Sequence, residues 1–576
     1  MTTWWHSDQE RLKLEKDAIA ALEAKADWLE NIAWDLDNEF RLIAVFDIVL
    51  AHARFSLRIT YHNTFPSSPP GIAPIADIKL SGHQYGAGGD LCLQIRPDNW
   101  RPEYTGADMI KSAQQLLSDE APDSDGAVQA APSDHDLPDT IRFRGAVFRF
   151  YIPAVSRLFL GLMKTGVTPV KLKAHWCGDD FVVVQMRSIQ LDGEDVPLPD
   201  LPLALGREGF SSDGAIIRTE TDVAGFSGTT ETAFADYFGI PSPFSEASPY
   251  ALIIGQTGTI LLFRRSFGDD GALIAHQTIL QPTERARSGD QYADLKDTQV
   301  GIVGLGSLGA KIATSLARAG VGRFELVDSD ILHAGNLERH DADWRDIGLH
   351  KADLVARRVR LVRAGVKAHA WRSALGVQVS TREAGNVHAA LDSCDVVIDA
   401  TANPEAFNNL AGLIQRSNST LIWGGVYAGG VGGEIARSRP LKDPSPFDVR
   451  DAVAAFHAQA AEPVPLPLGA GYDGQDGDTV WSATDADVAA IAAAMTAMAL
   501  DALIEREPSR YDAHAYLLGL ERAYIFKAPF HAQPIVADAP LRTNLSPPGE
   551  AGVEKDFVNT LIKKKLDDIK NTTKDD

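Results

Sequence analysis

The chain has 576 residues, more than one hydrophobic core can organise, so two to four domains are expected. Hydrophobic residues make up 45% and charged residues 23%, proportions that suit a soluble globular protein, and no apolar run approaches the ~18 to 20 residues that span a bilayer. A net charge of −23 argues against nucleic acid or anionic lipid as partners, and three scattered cysteines build neither a disulfide framework nor a four-cysteine zinc site.

The N-terminus (Met-Thr-Thr-Trp-Trp-His) has no basic segment followed by an apolar core, so a cytoplasmic location with no membrane anchor is expected. Residues 8–34 read as one helix, with Leu12, Ile19, Leu22 and Leu29 in an apolar stripe. Strands follow over 40–49 and 54–61, then the proline-rich Phe65-Pro-Ser-Ser-Pro-Pro70, a loop around Cys92, and an amphipathic helix near 107–117. Residues 119–139 are acidic and lack periodicity, the pattern of a linker between a domain at 1–118 and a middle region at 140–290. The middle region mixes apolar strands (181–186, 250–254, 259–263) with Gly- and Pro-rich loops, as an α/β or α+β fold would, and carries no chemical motif. From 291 to 535 the order strand, glycine turn, helix, strand is that of a parallel α/β sheet. Residues 536–576 read as a short helix and a charged tail.

Val300–Val303 is a short apolar strand that runs straight into Gly304-Leu-Gly306-Ser-Leu-Gly309 and a helix over 310–319. The glycines allow a tight turn and let a phosphate approach the helix N-terminus. A second strand over 324–327 ends at Asp328, placed to accept hydrogen bonds from a ribose hydroxyl. These features fit NAD as well as ATP. Asn336 and Arg339, eight and eleven residues past Asp328, and Lys351, twelve past Arg339, suit a triphosphate better, because charge must be neutralised while a carboxylate attacks the α-phosphorus.

The turn, Asp328, Asn336-x-x-Arg339, Lys351 and the strand Val396-Val-Ile-Asp-Ala-Thr401 together resemble the adenylation domain of ThiF, MoeB and the ubiquitin-activating enzymes, over roughly 245 residues. That resemblance implies a Rossmann-like domain, ATP and Mg²⁺ as cofactors, a protein C-terminal carboxylate as substrate, and a homodimer. It implies that Gly304, Gly306, Gly309, Asp328 and Asn336 bind ATP, with Arg339 and Lys351 also acting on the phosphates. An arginine upstream of the turn, Arg285 or Arg287, would join the partner's site. The family's metal-binding Asp after the strand is Ala402 here, leaving Asp399 as the metal candidate. No cysteine lies between Gly432 and Val480, where thioester-forming activating enzymes carry one, and Cys394 reads as structural.

Phe65-Pro-Ser-Ser-Pro-Pro70, Gly89-Asp-Leu-Cys92, Trp100-Arg-Pro102 and the following helix resemble the core of a ubiquitin-conjugating enzyme, an α+β fold. A cysteine in a Gly-rich loop is accessible, and its thiolate is the efficient attacker of an acyl donor. The family's His-Pro-Asn is replaced by Ser81-Gly-His83-Gln84, so His83 either assists catalysis or is a structural loop histidine. Both modules on one chain resemble the bacterial activating–conjugating fusions of antiphage defence, including the CBASS type. That implies a ubiquitin-like protein or a nucleotidyltransferase C-terminus as carrier and a protein amine as target. The acyl group would pass directly to Cys92, or rest first on a hydroxyl such as Ser482 or Thr484. Three other readings stay open: a sulfur-carrier adenylyltransferase with a docking domain, an NAD-dependent oxidoreductase, and a non-catalytic scaffold.

Overall fold

The computed structural model describes residues 3–119, 147–281, 289–543 and 555–572, apart from residues 52, 77, 79, 81–83, 86–88, 178–180, 192, 199–208, 224, 227, 267, 269–270, 416, 462–465, 469–472 and 477–478. The chain divides into two compact units, Met1–Gly145 and Ala146–Asp576.

In the first unit, helix α1 (Gln9–Glu23) leads into an antiparallel sheet of β1 (Leu29–Leu36), β2 (Leu42–Val49), β3 (Arg54–Tyr61) and β4 (Gly71–Pro74), closed by α2 (Gly106–Asp119). The single helix expected over 8–34 is therefore two elements. The N–H groups of Lys25 and Ala26 both turn back to Leu22 O and end the helix, and Leu29 then pairs with Ile48 on β2. Ile19, Phe46, Leu57, Ile59 and Ile110 fill the core between sheet and helices. Glu15 is buried there and tethers both ends of the unit: Oε2 accepts from Tyr61 Oη at 2.9 Å and from Gly106 N at 2.6 Å. A Cβ on Gly106 would fall 2.0 Å from Tyr61 Oη, so only glycine lets α2 begin this close to α1 and β3.

The second unit begins with a mixed β-structure and two short helices, Ala154–Gly161 and Glu231–Phe238, an α+β arrangement. Its strands run 181–191, 148–152, 273–280, 260–265, 250–254, 210–218 and 166–177 in space. Because Gly166–Cys177 also pairs with Phe181–Leu191, those seven close into a ring, with Glu194–Pro197 added outside.

The remaining sheet is built from β5 (Gln299–Val303), β6 (Arg323–Val327), β7 (Lys367–Trp371), β8 (Val396–Asp399), β9 (Thr420–Tyr427), β10 (Gly432–Ser438), β11 (Ala515–Gly519) and β12 (Ala532–Ile535). Its spatial order is β7-β6-β5-β8-β9-β10-β11-β12, parallel from β7 to β9 and antiparallel beyond. Strand order reverses between β5 and β8, which opens a crevice at their carboxyl ends, the place where such sheets bind ligands. Helices α3 (Ser307–Ala319), α4 (Lys351–Val362), α5 (Pro404–Ile414), α6 (Pro446–Gln459) and α7 (Asp485–Leu503) pack on the two faces. Among the described residues α7 is long and apolar enough to cross a membrane, which the sequence reading did not anticipate; Val488, Ile491, Met495 and Met498 are buried in the sheet core. The tail forms a helix of 18 residues, Lys555–Thr572, longer than expected.

Candidate functional site

The glycine turn sits at the crevice, and each glycine has its own reason. Gly304 has φ +83°, and a Cβ there would lie 2.8 Å from Thr401 Cγ2 beyond the end of β8. A Cβ on Gly309 would lie 1.9 Å from Gly304 O, so glycine is required for α3 to pack onto the turn. A Cβ on Gly306 would meet nothing within 4 Å. Gly306 is the N-cap of α3 and makes no side-chain cap, so the helix start is left open beside free space.

Asp328, at the end of β6, fixes this turn. Its Oδ2 accepts from Leu305 N at 2.7 Å and its Oδ1 from Asp330 N at 2.8 Å. Burial pushes its carboxyl above the usual range, opposed by those two hydrogen bonds and by Lys351. Each oxygen keeps a lone pair for a ligand hydroxyl. Lys351, first residue of α4, is nearly buried and pairs with Asp330 at 3.0 Å. Arg339 donates to Ala483 O at 2.8 Å, tying its loop to the start of α7. Asn336 accepts from His333 N at 2.9 Å and shapes the turn that carries Arg339, whose N–H returns to Asn336 O. His340, to which the sequence reading gave no role, is buried, and its Nε2 lies 2.9 Å from Leu305 O. Since a carbonyl only accepts, Nε2 carries the proton, and burial lowers the pKa of this imidazole so that it stays neutral.

At the end of β8, Asp399 is buried and its Oδ1 accepts from Thr401 N at 2.9 Å and Oγ1 at 2.6 Å. Burial raises its pKa against those bonds. Ala402 follows with φ +51°, and beside it lies a cavity of about 220 Å³ lined by Asp399, Ala402, Trp423, Gly425, Glu434 and Arg450.

In the first unit, Cys92 is half-exposed, flanked by the buried Leu91 and Leu93. Its loop is held from both sides. Gln84 Nε2 donates to Gly89 O at 2.9 Å before it, and Gln94 N donates to Ser112 Oγ on α2 at 2.8 Å after it. Trp100 packs on Phe65 and Tyr104, and its indole N–H donates to Pro66 O at 2.7 Å. Burial pushes the Cys92 thiol above its ordinary pKa, with Arg96 pulling the other way.

Residues 280–455 match the ThiF family. The chain carries a ThiF-type domain. It is also 28% identical over 185 residues to the ATP-dependent ubiquitin transferase-like protein Cap2 of Enterobacter hormaechei subsp. hoffmannii, covering 31% of this chain and 28% of that protein. The sulfur carrier protein ThiS adenylyltransferase of Escherichia coli is 33% identical over 147 residues, 25% of this chain and 55% of that protein. Ubiquitin-conjugating enzyme E2 2 of Mycosarcoma maydis is 34% identical over 77 residues, 13% of this chain and 40% of that protein. In each case the match spans less than two thirds of the relative's length. These likenesses support a fusion of ThiF-type and conjugating-enzyme-like modules and an enzyme of the adenylating class.

Within the ThiF-type domain the structure gathers Gly304, Gly306, Gly309, Asp328, Lys351 and Asp399 around one crevice, linked through Leu305, Asp330 and Thr401. Arg339 and Asn336 stand on the adjoining turn, engaged with backbone. His83, Arg285 and Arg287 lie outside the described residues. Cys394 is buried and its thiol is pushed up to about 12, mainly by burial, which suits packing and not chemistry. Thr484 caps α7, its Oγ1 donating to Asp487 Oδ2 at 2.7 Å, whereas Ser482 is exposed. Sequence reasoning missed His340 and Glu434. His340 directly follows Arg339 in the quoted motif, but its role needs the fold that brings it to Leu305.

Proposed function

We propose that this chain adenylates the C-terminal carboxylate of a ubiquitin-like or other protein, passes the acyl group to Cys92 and ligates it to a target amine, as part of bacterial antiphage defence. The observation that carries the first step is the open start of α3 at Gly306, set at the strand-order reversal between β5 and β8 with Asp328 beneath it and Lys351 beside it. The free helix N–H groups and Lys351 suit phosphates, and Asp328 suits the ribose. ATP therefore fits the residues present. Arg339 and Asn336 would turn from their backbone partners toward the phosphates. Mg²⁺, when bound, neutralises charge on the nucleotide, and the buried Asp399 fits a role in holding it.

A carrier carboxylate oxygen attacks the α-phosphorus of ATP, forming the acyl-adenylate as pyrophosphate leaves. The Cys92 thiolate then attacks the acyl carbon, forming a thioester with loss of AMP. A target amine attacks that thioester, an amide forms, and the thiol is released after proton transfer. The Cap2 likeness and the conjugating-enzyme likeness support these later steps, and Thr484 is already committed to a cap, which leaves Ser482 as the hydroxyl that direct transfer to Cys92 competes with. The acceptor thiol is tethered to the activating domain, which raises its effective concentration. A homodimer in the cytoplasm, with the upstream arginine entering the partner's site, completes the proposal.

The test is ATP–pyrophosphate exchange with a candidate carrier, followed by intact mass spectrometry under non-reducing conditions. Exchange that requires the carrier's free C-terminus, and an adduct lost in Cys92→Ala, support the reading. Exchange with no adduct on Cys92 would favour a sulfur-carrier adenylyltransferase, in line with the ThiS adenylyltransferase likeness. Saturable NAD binding without exchange would point to an oxidoreductase.

A further inference from the structure

The cavity beside Ala402 holds a carboxylate that no motif announces. β8 pairs with β9 through Asp399 and Trp423, and β9 pairs with β10 through Gly425 and Glu434. Alternation along β9 puts Trp423 and Gly425 on one face, so Asp399 and Glu434 project from that same face. A Cβ on Gly425 would lie 3.7 Å from Ala402 Cβ. Residue 402 thus stands over Gly425, whose cross-strand partner is Glu434. Such partners sit about 5 Å apart at Cβ, within the reach of a glutamate side chain. Asp399, Ala402 and Glu434 all line the one cavity of about 220 Å³, which adjoins the glycine turn because Thr401 packs on Gly304.

The lining of the cavity is predominantly acidic in charge. Two carboxylates face this cavity, and among the described residues lining it Arg450 is the sole cation. Arg450 acts electrostatically on both, and it also lies over the Phe407 ring at 4.6 Å. Trp423 Nε1 donates to Glu434 Oε1 at 3.2 Å, which orients the carboxylate and leaves Oε2 for another partner.

On the ATP reading above, we infer that Glu434 together with Asp399 supplies the carboxylate that Ala402 lacks, so the nucleotide's divalent cation is held from β10 in place of residue 402. A carboxylate has moved from one side of the cavity to the other, and a small residue at 402 is what gives it room. Glutamate is one methylene longer than aspartate, which suits the longer reach from β10.

The test uses the full chain, Mn²⁺ and adenosine 5′-(α,β-methylene)triphosphate, with free Mn²⁺ read by electron paramagnetic resonance. Glu434→Gln keeps the acceptor for Trp423 and removes the charge. It should weaken Mn²⁺ binding by about tenfold or more, a scale at which even supporting groups act, while metal-free nucleotide affinity stays within about twofold. Adding Ala402→Asp to that variant should recover the metal. Unchanged Mn²⁺ affinity in Glu434→Gln overturns the inference, as does lost metal-free nucleotide binding, or no recovery in the double variant. Failure of the wild-type chain to bind nucleotide at all would instead sink the ATP reading, and this inference with it.

Discussion

Asp328 and His340 grip opposite ends of one peptide group pair: Leu305 N–H is taken by Asp328 at 2.7 Å, and Leu305 O is taken by His340 at 2.9 Å. The residue between Gly304 and Gly306 is thereby held from two separate loops. His340→Ala leaves a buried carbonyl without its donor, a cost of about 1–3 kcal/mol. We expect a lower denaturant midpoint and weaker nucleotide binding, both recorded on the same preparation. His340→Asn, which restores a donor, should recover part of each. A variant with wild-type midpoint and affinity would show that the turn does not depend on this clamp.

Gly306 and Gly309 separate ligand binding from folding. Alanine at 306 meets nothing within 4 Å, so Gly306→Ala should melt like the wild type yet lose roughly tenfold or more in ATP affinity, the methyl occupying space a phosphate needs. Alanine at 309 would sit 1.9 Å from Gly304 O, so Gly309→Ala should lower the melting temperature itself. Calorimetry on the two variants decides the matter. Equal melting loss in both would mean that the open face at Gly306 is not the phosphate site.

Much of this was legible in sequence because it is local. The turn, Asp328 and Lys351 fall in one βαβ stretch where chain order nearly is spatial order, and the strands at 54–61 and 250–254 appear where periodicity put them. The helix over 8–34 failed at its end because Leu29, which continues the helical stripe in sequence, lies beyond the turn at Leu22 and pairs with Ile48 on β2. Ring closure in the middle region depends on Gly166–Cys177 pairing on both edges, which no local pattern records. Glu434 was invisible for a similar reason: its neighbours Asp399 and Ala402 lie more than thirty residues away in sequence and meet it only across three strands.

Arg437, on β10, is fully buried, with Asp501 at 3.1 Å, Ser509 Oγ at 3.0 Å and Tyr511 O at 2.7 Å as acceptors. Asp501→Ala removes the nearer of two buried countercharges, Asp443 at 3.6 Å being the other, and leaves the guanidinium underpaired away from water. The expected destabilisation is about 3–5 kcal/mol, read from urea unfolding. Arg437→Met with Asp501→Leu removes this pair and leaves Asp443 to Arg439 at 2.9 Å, so it should lose less. Equal losses would mean that packing and not charge is what Asp501 contributes.

His276, in the strand ring of the second unit, donates from Nδ1 to Ile274 O at 3.2 Å and lies between Phe148 and Tyr250, its buried Nε2 without a hydrogen-bond partner among the described residues. Burial lowers its pKa to about 4 from 6.5. As pH falls through 6.5 the unfolded chain takes up a proton that the folded chain refuses until about 4. Stability is flat above this window and declines within it, by ~3 kcal/mol in all. His276→Leu should remove that share of the acid sensitivity in pH-dependent unfolding of the second unit. An unchanged profile would place the titrating group elsewhere.

Cys92 titrates in the opposite sense for function. Its thiol is raised by burial, and Arg96 is the charge that lowers it, so at neutral pH most of it is protonated and unreactive. If transfer is limited by thiolate, the rate of adduct formation on Cys92 should climb about tenfold per pH unit from 7 upward, with no plateau below the ordinary thiol pKa. Arg96→Ala removes the attraction that favours thiolate and should slow the reaction at fixed pH, the whole profile moving to higher pH without a change in its slope. Rapid-quench measurement of the adduct, with adenylate formation followed separately by pyrophosphate release, keeps this step apart from activation. A rate that is flat from pH 7 to 9 would mean that carrier docking reshapes the loop and lowers the thiol before attack, which puts the activating contact on the partner and not on Arg96.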